Sequence, residues 1–581
     1  MIRTRLVLAL LLGCSLAAFP AGPADAGRTF KYFGGGNGHG LGLSQWGAYG
    51  LAVKGLTHEQ ILTHFYTGTD VGPGTAPPEE IRIGLTDGER LVHLTAQVGQ
   101  VELRVSAPGP TGTLAGTIPA PQTWTVEVSR GSYVIKDAGG APVGAPIDGT
   151  KNLYVVYEPM NARVASPEAG HAYNRGYIEM NLYRSCSSCT VSYLRMIAVL
   201  SPQSYLYGLG EVPSSWPIEA LEAQVDAART YAFNLIKGVG QNRPGCNCAL
   251  FDDARNQVYS GWDKEGAPEA ERWVQAVDAT DGEVVTYQSQ LIEALYMSSS
   301  GGYTENNENV WGGTPQPYLR GVCDPGDYTA ANPYRVWTVS LSDAEVTSRL
   351  SRYTGNIGTV VRFAHIVRGV SGRVMRASVV GTQGTKDLAG STLRGALGLR
   401  DTRFWINTNR TVTGTVRAKY DALKCAPGLP KSAKVAVTGG LRQRFENGAI
   451  YVNETDTRTV WLRGPIYAEY VAKKESDGVL GPPLSSVVAL TAAPGCDTQS
   501  CAKARFKNGY IYLKQDAGAH EVHGRVLDYF TANDGVFGHL GFPVTDVKRT
   551  AGGGSQATFQ GKAGAGPITV TCSASGNCSE R

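Results

Sequence analysis

Apolar residues recur at three- and four-residue steps over residues 218–235, which predicts a helix with one buried face. The residues of that face are Ile218, Leu221, Val225, Ala228, Ala232 and Leu235. Pro217 suits the first helical position, where its missing N–H costs nothing. A Gly- and Pro-rich turn precedes the helix and carries one acidic residue, Glu211. The pattern therefore places a carboxylate at the mouth of a rigid helix.

A second helix is predicted over residues 57–68, with Thr57 as its N-cap and Glu59 and Gln60 in the first turn. Most other segments show short alternating apolar runs that are typical of strands. Examples are HLTAQV, LRVSA, QLIEALYMSSS and VMRASVVG.

The chain has 73 glycines and few helix signals, so it is predicted to be α+β and β-rich. Residues 27–425 are predicted to form one domain, in which residues 76–190 are a β-rich insertion. A small repeat domain is predicted to follow.

Residues 430–581 repeat themselves. RFENGAIYV begins at Arg444 and recurs 61 residues later as RFKNGYIYL, and GVLGPP at Gly478 recurs 60 residues later as GHLGFP. A weaker third copy begins at ATFQG near Phe559. Repeats of this length indicate small units that share a core.

The first 26 residues are typical of a secretory signal peptide. Arg3 and Arg5 form a charged region, residues 6–18 an apolar core, and ADA ending at Ala26 a small-residue cleavage site. A lipoprotein anchored at Cys14 is the alternative, and the clean cleavage site favours secretion. No other apolar span of about 20 residues follows, so a membrane-spanning helix is not expected.

Composition adds two constraints. At 581 residues and 42% hydrophobic content, the chain is long enough for about three or four domains with sizeable cores. Lys and Arg number 54 against 50 for Asp and Glu, and no basic run stands out. A nucleic acid is therefore not expected as a partner.

Removal of residues 1–26 would leave ten cysteines, an even number that suggests disulfides in an exported protein. Three local pairs are predicted to form bridges: Cys186–Cys189, Cys496–Cys501 and Cys572–Cys578. For the first pair, a redox site and half of a zinc site are the alternatives. Cys246 and Cys248 are predicted to be too close for an easy mutual bond. Each is therefore expected to pair with a distant cysteine such as Cys323 or Cys425.

Glu211 is the candidate with the clearest chemistry. A carboxylate on a turn before a rigid helix is well placed to move protons. The structural alternative is that Glu211 only caps or charges the helix N-terminus. Spacing alone favours that alternative, so other motifs have to decide.

Four segments support a chemical role. They are GHGLGLSQWGAYGLA from Gly38, GEVPSSWPIEALEAQVDAARTYA from Gly210, DDARNQVYSG from Asp252 and SSSGGYTENNENVWGG from Ser298, with support from SGRVMRASVVG and LRGALGLRDTRFWI. Together they resemble the SpoIID/LytB family, whose sporulation members are peptidoglycan lytic transglycosylases. The resemblance covers most of residues 28–410, with residues 76–190 poorly matched. The C-terminal repeats resemble the LGFP repeats of exported actinobacterial proteins, which are associated with cell-wall attachment.

The resemblance implies that Glu211 is the catalytic acid, because the family's glutamate lies in the turn before the EALKAQ-type helix. Such an enzyme cleaves the MurNAc-GlcNAc β-1,4 bond. Ordinary glycosidases use two carboxylates, whereas here the muramic acid's own C6 hydroxyl attacks C1 and forms a 1,6-anhydro sugar. Apolar neighbours such as Val212 and Trp216 would raise the pKa of the acid.

The implied partners are peptidoglycan glycan strands, with the family's preference for strands stripped of stem peptides, and a cell-wall polymer bound by the repeats. The alternative is a non-catalytic peptidoglycan-binding protein or amidase enhancer of the LytB type, for which a wall amidase is the partner. The implied location is secreted and associated with the cell wall. No cofactor is expected.

The same match implies further substrate-binding residues. Arg229 in the ARTYA motif could hold a substrate oxygen or orient Glu211, and Tyr303 in SGGYT matches a family tyrosine near the acid. The remaining candidates lie in the other motifs: His39, Gln45, Trp46, Gln257, Tyr259, Ser298, Ser299, Gly302 and Trp311. The structural alternatives are a buried arginine bonded to carbonyls, tryptophans in the core and a histidine bonded to a loop carbonyl.

Two features depart from the family pattern. Glu222 stands where sporulation members commonly carry lysine, and a like charge close to Glu211 would raise its pKa.

Some sporulation members bind zinc through Cys and His around the QVY motif, which is Gln257–Tyr259 in this chain. Here Asn256 precedes that motif with no histidine nearby, and Cys246 and Cys248 alone do not make a four-ligand site. We therefore expect no metal.

Overall fold

The computed structural model contains 22% helix and 35% strand, which confirms the predicted α+β, β-rich class. It describes residues 27–581 with the exception of 75–76, 87, 108–110, 185, 187–188, 190–191, 498–499 and 563–565. The predicted signal peptide and Cys14 lie outside the described residues. Within the described part of the chain, no helix combines the length and apolar character needed to cross a bilayer.

Two large sheets dominate the first half of the described chain. Their inward-facing residues alternate, as in Val92, Leu94 and Ala96, because successive side chains on a strand point to opposite faces. In spatial order, the seven-stranded sheet contains Leu250–Phe251, Ile81–Gly84, Ser192–Leu200, Tyr177–Arg184, Leu153–Val156, Gln100–Val105 and Thr113–Pro119. The six-stranded sheet contains Ile147–Asp148, Ser132–Lys136, Thr123–Ser129, Leu91–Val98, Arg163–Ser166 and His171–Tyr173.

The β-rich segment 76–190 is continuous with the surrounding domain. Its strand Ile81–Gly84 pairs antiparallel with Ser192–Leu200 and parallel with Leu250–Phe251. Buried residues of both sheets belong to the same hydrophobic core as the helix Ile218–Val239. The segment therefore widens the domain's own sheet and core.

The helix Ile218–Val239 is more deeply buried than the sequence predicts. Besides the expected face, it buries Ala223, Gln224 and Ala227, as a helix does when structure packs on all its sides. Pro217 is the N-cap residue and Ile218 is the first helical residue, so the helix begins one residue later than predicted. Elements in contact with it include Gln45–Val53, His58–Phe65, Pro202–Tyr207, Ala270–Ala279 and Glu283–Tyr287.

Short elements bring distant motifs together. The strand Tyr296–Met297 pairs in parallel with Leu43–Ser44, so the first and fourth motif segments lie side by side. Helix His58–Phe65 starts with the predicted N-cap Thr57, which forms a capping box with Gln60. A further three-stranded sheet contains Gln290–Leu291, Glu283–Tyr287 and Asp70–Pro73. This part of the chain also contains the short helices Trp262–Glu265 and Asn307–Val310 and the 3-10 turn Glu158–Met160.

A second, smaller core lies between two three-stranded sheets and two helices. Phe30, Val346 and Leu393 are among its buried residues. Its sheets are Trp337–Ser342, Thr29–Gly34 and Phe404–Ile406, and Val360–Arg368, Val374–Gly381 and Thr385–Ala389; its helices are Asp343–Thr354 and Gly390–Leu397.

The C-terminal region contains three units, each a helix followed by a four-stranded antiparallel sheet on which that helix packs. The helices are Gly414–Ala422, Gly464–Ala472 and Gly524–Ala532. The sheets are Val435–Val437, Gly440–Phe445, Gly448–Asn453 and Thr459–Leu462; Val488–Ala489, Cys501–Phe506, Gly509–Lys514 and Gly518–His523; and Lys548–Arg549, Ser555–Phe559, Ile568–Cys572 and Cys578–Glu580. The 3-10 turns Glu475–Asp477 and Gly535–Phe537 follow the second and third helices.

One aromatic pair recurs in all three units and holds helix to sheet. The ring centroids lie 5.4 Å apart in Tyr420–Phe445, 4.5 Å in Tyr470–Phe506 and 4.9 Å in Phe530–Phe559. The hydroxyls of Tyr420 and Tyr470 also donate to equivalent carbonyls, those of Gly428 and Gly481. The first unit therefore includes the helix Gly414–Ala422, which lies before the predicted start of the repeat region at residue 430.

The three local disulfides are confirmed, at Cys186–Cys189, Cys496–Cys501 and Cys572–Cys578. The prediction for the remaining four cysteines is wrong. Cys246 bonds Cys248 directly, because Asn247 between them adopts a left-handed conformation with φ of 57° that turns the two side chains together. Cys323 and Cys425 bond each other and tie the first repeat unit to the preceding domain.

Candidate active site

Glu211 lies on a turn that is pinned to the QVY loop. The amide of Gly210 donates to the Val258 carbonyl at 2.8 Å, and the amide of Val258 donates to Glu211 Oε1 at 2.7 Å. Lys264 Nζ donates to the carbonyl of Val212 at 2.6 Å and fixes the other side of the turn. The backbone on both sides of the carboxylate is therefore fixed by hydrogen bonds.

Three donors hold the half-buried carboxylate of Glu211. Besides the Val258 amide, the hydroxyl of Tyr296 donates to Oε1 at 2.9 Å, and Gln45 Nε2 lies 3.5 Å from Oε2. Gln45 also donates to Gln224 Oε1 at 3.2 Å. Gln224 lies on the helix Ile218–Val239, which we call the central helix. All three donors are neutral, so none of them adds a charge to the site.

A chain of hydrogen bonds positions Tyr296. Gln257 Nε2 donates to the Tyr296 hydroxyl at 2.9 Å and to the Ala228 carbonyl at 3.2 Å. The hydroxyl of Tyr205 donates to Gln257 Oε1 at 2.6 Å. Because buried polar groups are costly unless they are paired, this network fixes the hydroxyl that faces Glu211.

Burial raises the pKa of Glu211, and its hydrogen bonds with Val258, Tyr296 and Gln45 partly offset that rise. Desolvation disfavours the charged carboxylate, whereas donors favour it. Val212 and Trp216 beside it are buried, as the sequence predicts for its apolar neighbours. Glu222 is not among the groups that shift the pKa of Glu211, so burial and not a like charge causes the rise.

The structural alternative for Glu211, a helix cap, does not fit these contacts. The N-cap Pro217 makes no side-chain cap hydrogen bond, and the acidic residue in the first turn is Glu219. The carboxylate of Glu211 instead accepts from an amide of the QVY loop and from a tyrosine of another strand.

Aromatic side chains adjoin this turn. Trp46 lies 4.7 Å from Trp216 and 5.2 Å from Tyr49, measured between ring centroids. Trp46 is only half-buried, so one part of its ring is open to solvent. The amide of Trp46 donates to the Ser298 carbonyl at 3.0 Å, which fixes its helix against the strand of Tyr296.

His39 bonds a strand carbonyl through one ring nitrogen and a backbone amide through the other. Its Nε2 lies 2.9 Å from the carbonyl of Tyr296, and its Nδ1 accepts from the amide of Leu41 at 3.1 Å. Burial lowers the pKa of His39 to about 4, so it is neutral at pH 7. Its ring lies 5.2 Å from that of Trp311, which is 58% exposed.

Arg229 does not contact Glu211. It is 2% exposed and donates to Asp226 Oδ1 at 2.7 Å, to the Glu283 carbonyl at 2.8 Å and to Thr280 Oγ1 at 3.4 Å. Asp226 lies on the same helix as Arg229, Thr280 ends the helix Ala270–Ala279, and Glu283 begins the strand Glu283–Tyr287. The structure therefore gives Arg229 the structural role of a buried arginine, contrary to the expectation that it binds substrate.

The Ser/Gly loop is also structural. Ser299 is fully buried and donates to Asp327 Oδ1 at 2.8 Å. A Cβ on Gly302, whose φ is 100°, would lie 2.3 Å from Arg417 Nη1, so glycine is needed for the arginine to pass. This packing explains the loop's composition and leaves Ser299 and Gly302 no access to a substrate.

Two predicted aromatic residues, Tyr303 and Tyr259, are not among the hydrogen-bond partners of Glu211. Tyr303 packs against the core that contains Tyr420 and the Cys323–Cys425 bridge, at the junction with the first repeat unit. Tyr259 is 2% exposed and stacks on Tyr205 at 5.7 Å. The tyrosine next to the acid is Tyr296, which the sequence analysis missed.

Glu222 is paired with His58. Its carboxylate lies 3.2 Å from His58 Nδ1, and Glu219 and Glu283 lie 3.3 and 3.2 Å from the two ring nitrogens. These contacts, led by the hydrogen bond with Glu222, raise the pKa of His58 to about 10. A histidine cation therefore balances the acidic residue that stands at the family's lysine position.

Besides Cys323, Asp421 and Cys425, whose two cysteines are bonded to each other, the candidate metal ligands of the described chain lie around His58. Its ring nitrogens lie with Glu219 and Glu222 on one side and with Asp226 and Glu283 on the other, with ligand atoms within 4.8 Å of one another in each group. Cys246 and Cys248 form a disulfide and offer no thiolate. That the protein holds no metal stays a prediction.

Family models match two parts of the chain. The model described as stage II sporulation protein, SpoIID, matches residues 191–287, and the LGFP repeat model matches residues 428–478 and 480–538. Both resemblances inferred from the sequence motifs are thereby confirmed.

Individual relatives match shorter regions. The chain is 31% identical to the stage II sporulation protein D of Bacillus amyloliquefaciens over 223 residues, or 36% of this chain and 62% of that protein. It is 29% identical to the protein of the same name from Bacillus subtilis (strain 168) over 225 residues, 37% and 63% of the two chains. It is also 37% identical to the amidase enhancer of Bacillus subtilis (strain 168) over 139 residues, 24% and 17% of the two chains. The chain thus spans less than two thirds of the length of these relatives.

Replacing Tyr296 by Phe is expected to raise the pKa of Glu211 further, because the tyrosine hydroxyl stabilises the charged carboxylate. The measurement is an NMR titration that follows the chemical shift of the Glu211 side-chain carboxyl carbon, Cδ, against pH. Tyr303→Phe is the matched control and should leave the titration unchanged. A pKa that stays the same or falls in Tyr296→Phe would contradict the assigned hydrogen bond.

His58→Gln is expected to destabilise the protein in a pH-dependent way. Because the folded-state pKa of His58 is about 10 against 6.5 in the unfolded chain, the stabilisation is complete below pH 6.5 and is lost as pH rises to 10. We expect a loss of about 2 kcal/mol in the free energy of unfolding near pH 6, measured by denaturant titration. His365→Gln is the control, since His365 has no acidic partner among the described residues. A loss that does not shrink between pH 7 and 10 would refute the ion pairs.

Proposed function

We propose that this protein is a peptidoglycan lytic transglycosylase in which Glu211 is the sole acid and base. Protonated Glu211 donates its proton to the glycosidic oxygen as the bond between that oxygen and C1 of MurNAc breaks. The C6 hydroxyl of the same MurNAc attacks C1 and returns its proton to Glu211. The products are a 1,6-anhydro-MurNAc end and a free GlcNAc hydroxyl, and no water is consumed.

The observation that carries the proposal is the isolation of Glu211. Its described hydrogen-bond partners are an amide, a phenol and a carboxamide, and no carboxylate is among the groups that shift its pKa. Hydrolytic glycosidases pair two carboxylates ~5–9.5 Å apart. A lone carboxylate whose pKa is raised by burial suits a reaction in which the substrate supplies the nucleophile.

The comparisons support a role at the cell wall. The LGFP matches and the match to an amidase enhancer fit a wall-associated protein, and the disulfides fit an extracellular location. We infer that the protein is secreted, that it acts on glycan strands stripped of stem peptides, and that its repeat units attach it to a wall polymer.

The second candidate function is that of a non-catalytic wall-binding protein that assists an amidase. The 37% identity to an amidase enhancer favours it. In that case the Glu211 turn binds glycan without cleaving it, and a wall amidase is the partner.

Glu211→Gln is expected to abolish formation of anhydromuramyl products from stripped glycan strands, with a rate loss of at least ~100-fold. The substitution keeps the shape of the side chain but removes the proton that the leaving oxygen needs. Mass spectrometry of the digest provides the measurement.

Glu222→Gln is the matched control, because Glu222 contacts His58 and not Glu211. It should cleave within a few-fold of the original protein. If the original protein binds stripped strands but yields no anhydro product, the enzyme proposal fails and the amidase-assisting function is favoured.

The repeat units contain a cavity of about 850 Å³ at the junction of the first two, lined in part by Trp461, Arg463 and Tyr467. An arginine 4.9 Å from the Trp461 ring centroid offers both a cation and an aromatic face to a polymer. Replacing Arg463 and Tyr467 together by Ala is expected to reduce sedimentation with cell-wall material several-fold while cleavage of soluble glycan stays unchanged. Equal losses of both would show that the repeats belong to the catalytic unit.

A further inference from the structure

A cavity lies on the backbone side of Tyr296, the residue whose hydroxyl contacts the proposed acid. We call it the Arg394 cavity; its lining includes His39, Asn309, Trp311, Ser391, Arg394 and Thr402. Its volume is about 470 Å³, within the range of ~300–1,000 Å³ common for small-ligand sites. Its lining includes residues of the first and fourth motif segments and of LRGALGLRDTRFWI, but Glu211 and its hydrogen-bond partners are not among them.

Tyr296 connects the cavity to the acid. Its hydroxyl donates to Glu211 Oε1, and its carbonyl lies 2.9 Å from Nε2 of His39, which lines the cavity. The cavity and the carboxylate are thus linked to opposite ends of one tyrosine, the cavity through His39 at the backbone carbonyl and the carboxylate at the hydroxyl. A sugar near the scissile bond of the same strand can span this separation.

The cavity offers an aromatic platform and a positive charge. Trp311 is 58% exposed, which is unusual for so large an apolar side chain. One wall of the cavity is a single face of the helix Gly390–Leu397 together with its C-cap glycine. The lining residues of that wall are spaced three or four positions apart along the helix, as residues on one face are; they are Ser391, Arg394, Gly395 and Gly398. The two glycines add no side chain to that wall.

The charge is unbalanced. Arg373 and Arg394 line the cavity, and no Asp or Glu is present among its described lining residues. Arg373 is committed to Asp401 at 2.9 Å and to the carbonyls of Ser300 and Tyr303. Arg394 is only half-buried and forms no salt bridge within the described part of the chain. His39 cannot supply or cancel charge, because burial holds its pKa near 4.

We propose that the Arg394 cavity binds the free lactyl carboxylate of a MurNAc residue, with the sugar ring on Trp311 and the carboxylate on Arg394. This inference rests on the proposed function. A guanidinium pairs two parallel N–H groups with a carboxylate, and an exposed aromatic face suits a pyranose ring. A stem peptide converts the same carboxylate into an amide and removes its charge. Arg394 therefore selects strands after amide hydrolysis has released the peptide, and an amidase-class reaction must supply the substrate.

The test measures binding in the Glu211→Gln background, so that no turnover occurs. The ligands are a stripped GlcNAc-MurNAc tetrasaccharide and chitotetraose, which has the same backbone without lactyl groups. We expect the muramyl ligand to bind about tenfold more tightly in calorimetry, and Arg394→Gln to remove most of that difference. Arg394→Lys should retain part of it, and Arg362→Gln, the same charge change at an exposed site outside the cavity, should retain all of it.

Trp311→Ala separates the platform from the charge. It should weaken both ligands by similar factors, because a stacked ring does not sense the lactyl group. Equal affinities of the two ligands in the Arg394-containing protein, or an unchanged preference in Arg394→Gln, would overturn the inference. Binding with the predicted preference but no anhydro product from the Glu211-containing protein would refute the enzymatic proposal and leave this inference intact.

Discussion

The site depends on one bifurcated contact, in which Glu211 Oε1 accepts both the Val258 amide and the Tyr296 hydroxyl. The two donors come from the QVY loop and from the strand Tyr296–Met297, which are distant from Glu211 in sequence. The strand in turn pairs with Leu43–Ser44, and the loop is bonded through Gln257 to the central helix. One carboxylate oxygen thus joins the second and third motif segments to the strand that leads into the fourth, and that strand pairs with the first.

Burial has two consequences for the groups around that contact. It raises the pKa of Glu211, which favours the protonated form that a leaving oxygen requires. The same low dielectric makes every unpaired polar group costly, and this explains the chain from Tyr205 through Gln257 to Tyr296. On the far side of the central helix, Arg229 pairs with Asp226 for the same reason. The helix therefore separates a neutral network at the acid from a charged one in the core.

The sequence predicted the fold class, the central helix, the Thr57 cap and the repeats, because these follow from local periodicity and capping residues. It also identified Glu211, Gln45 and Gln257 through motifs. It missed Tyr296 because a tyrosine on an apolar strand looks like a core residue until its neighbours are known. It assigned Arg229, Ser299 and Tyr303 to the site because motif proximity does not show which way a side chain points. The Cys246–Cys248 bridge and the pairing of Glu222 with His58 depend on backbone conformation and tertiary contact, which spacing cannot supply.

In the proposed reaction one carboxylate suffices, because the substrate, and not water, provides the nucleophile. The most direct measurement is digestion of stripped glycan strands in water enriched in oxygen-18, followed by mass spectrometry of the new MurNAc ends. We expect MurNAc ends that lack the mass of one water and carry no label. Reducing MurNAc ends labelled with oxygen-18 would show hydrolysis and would contradict the proposed role of Glu211.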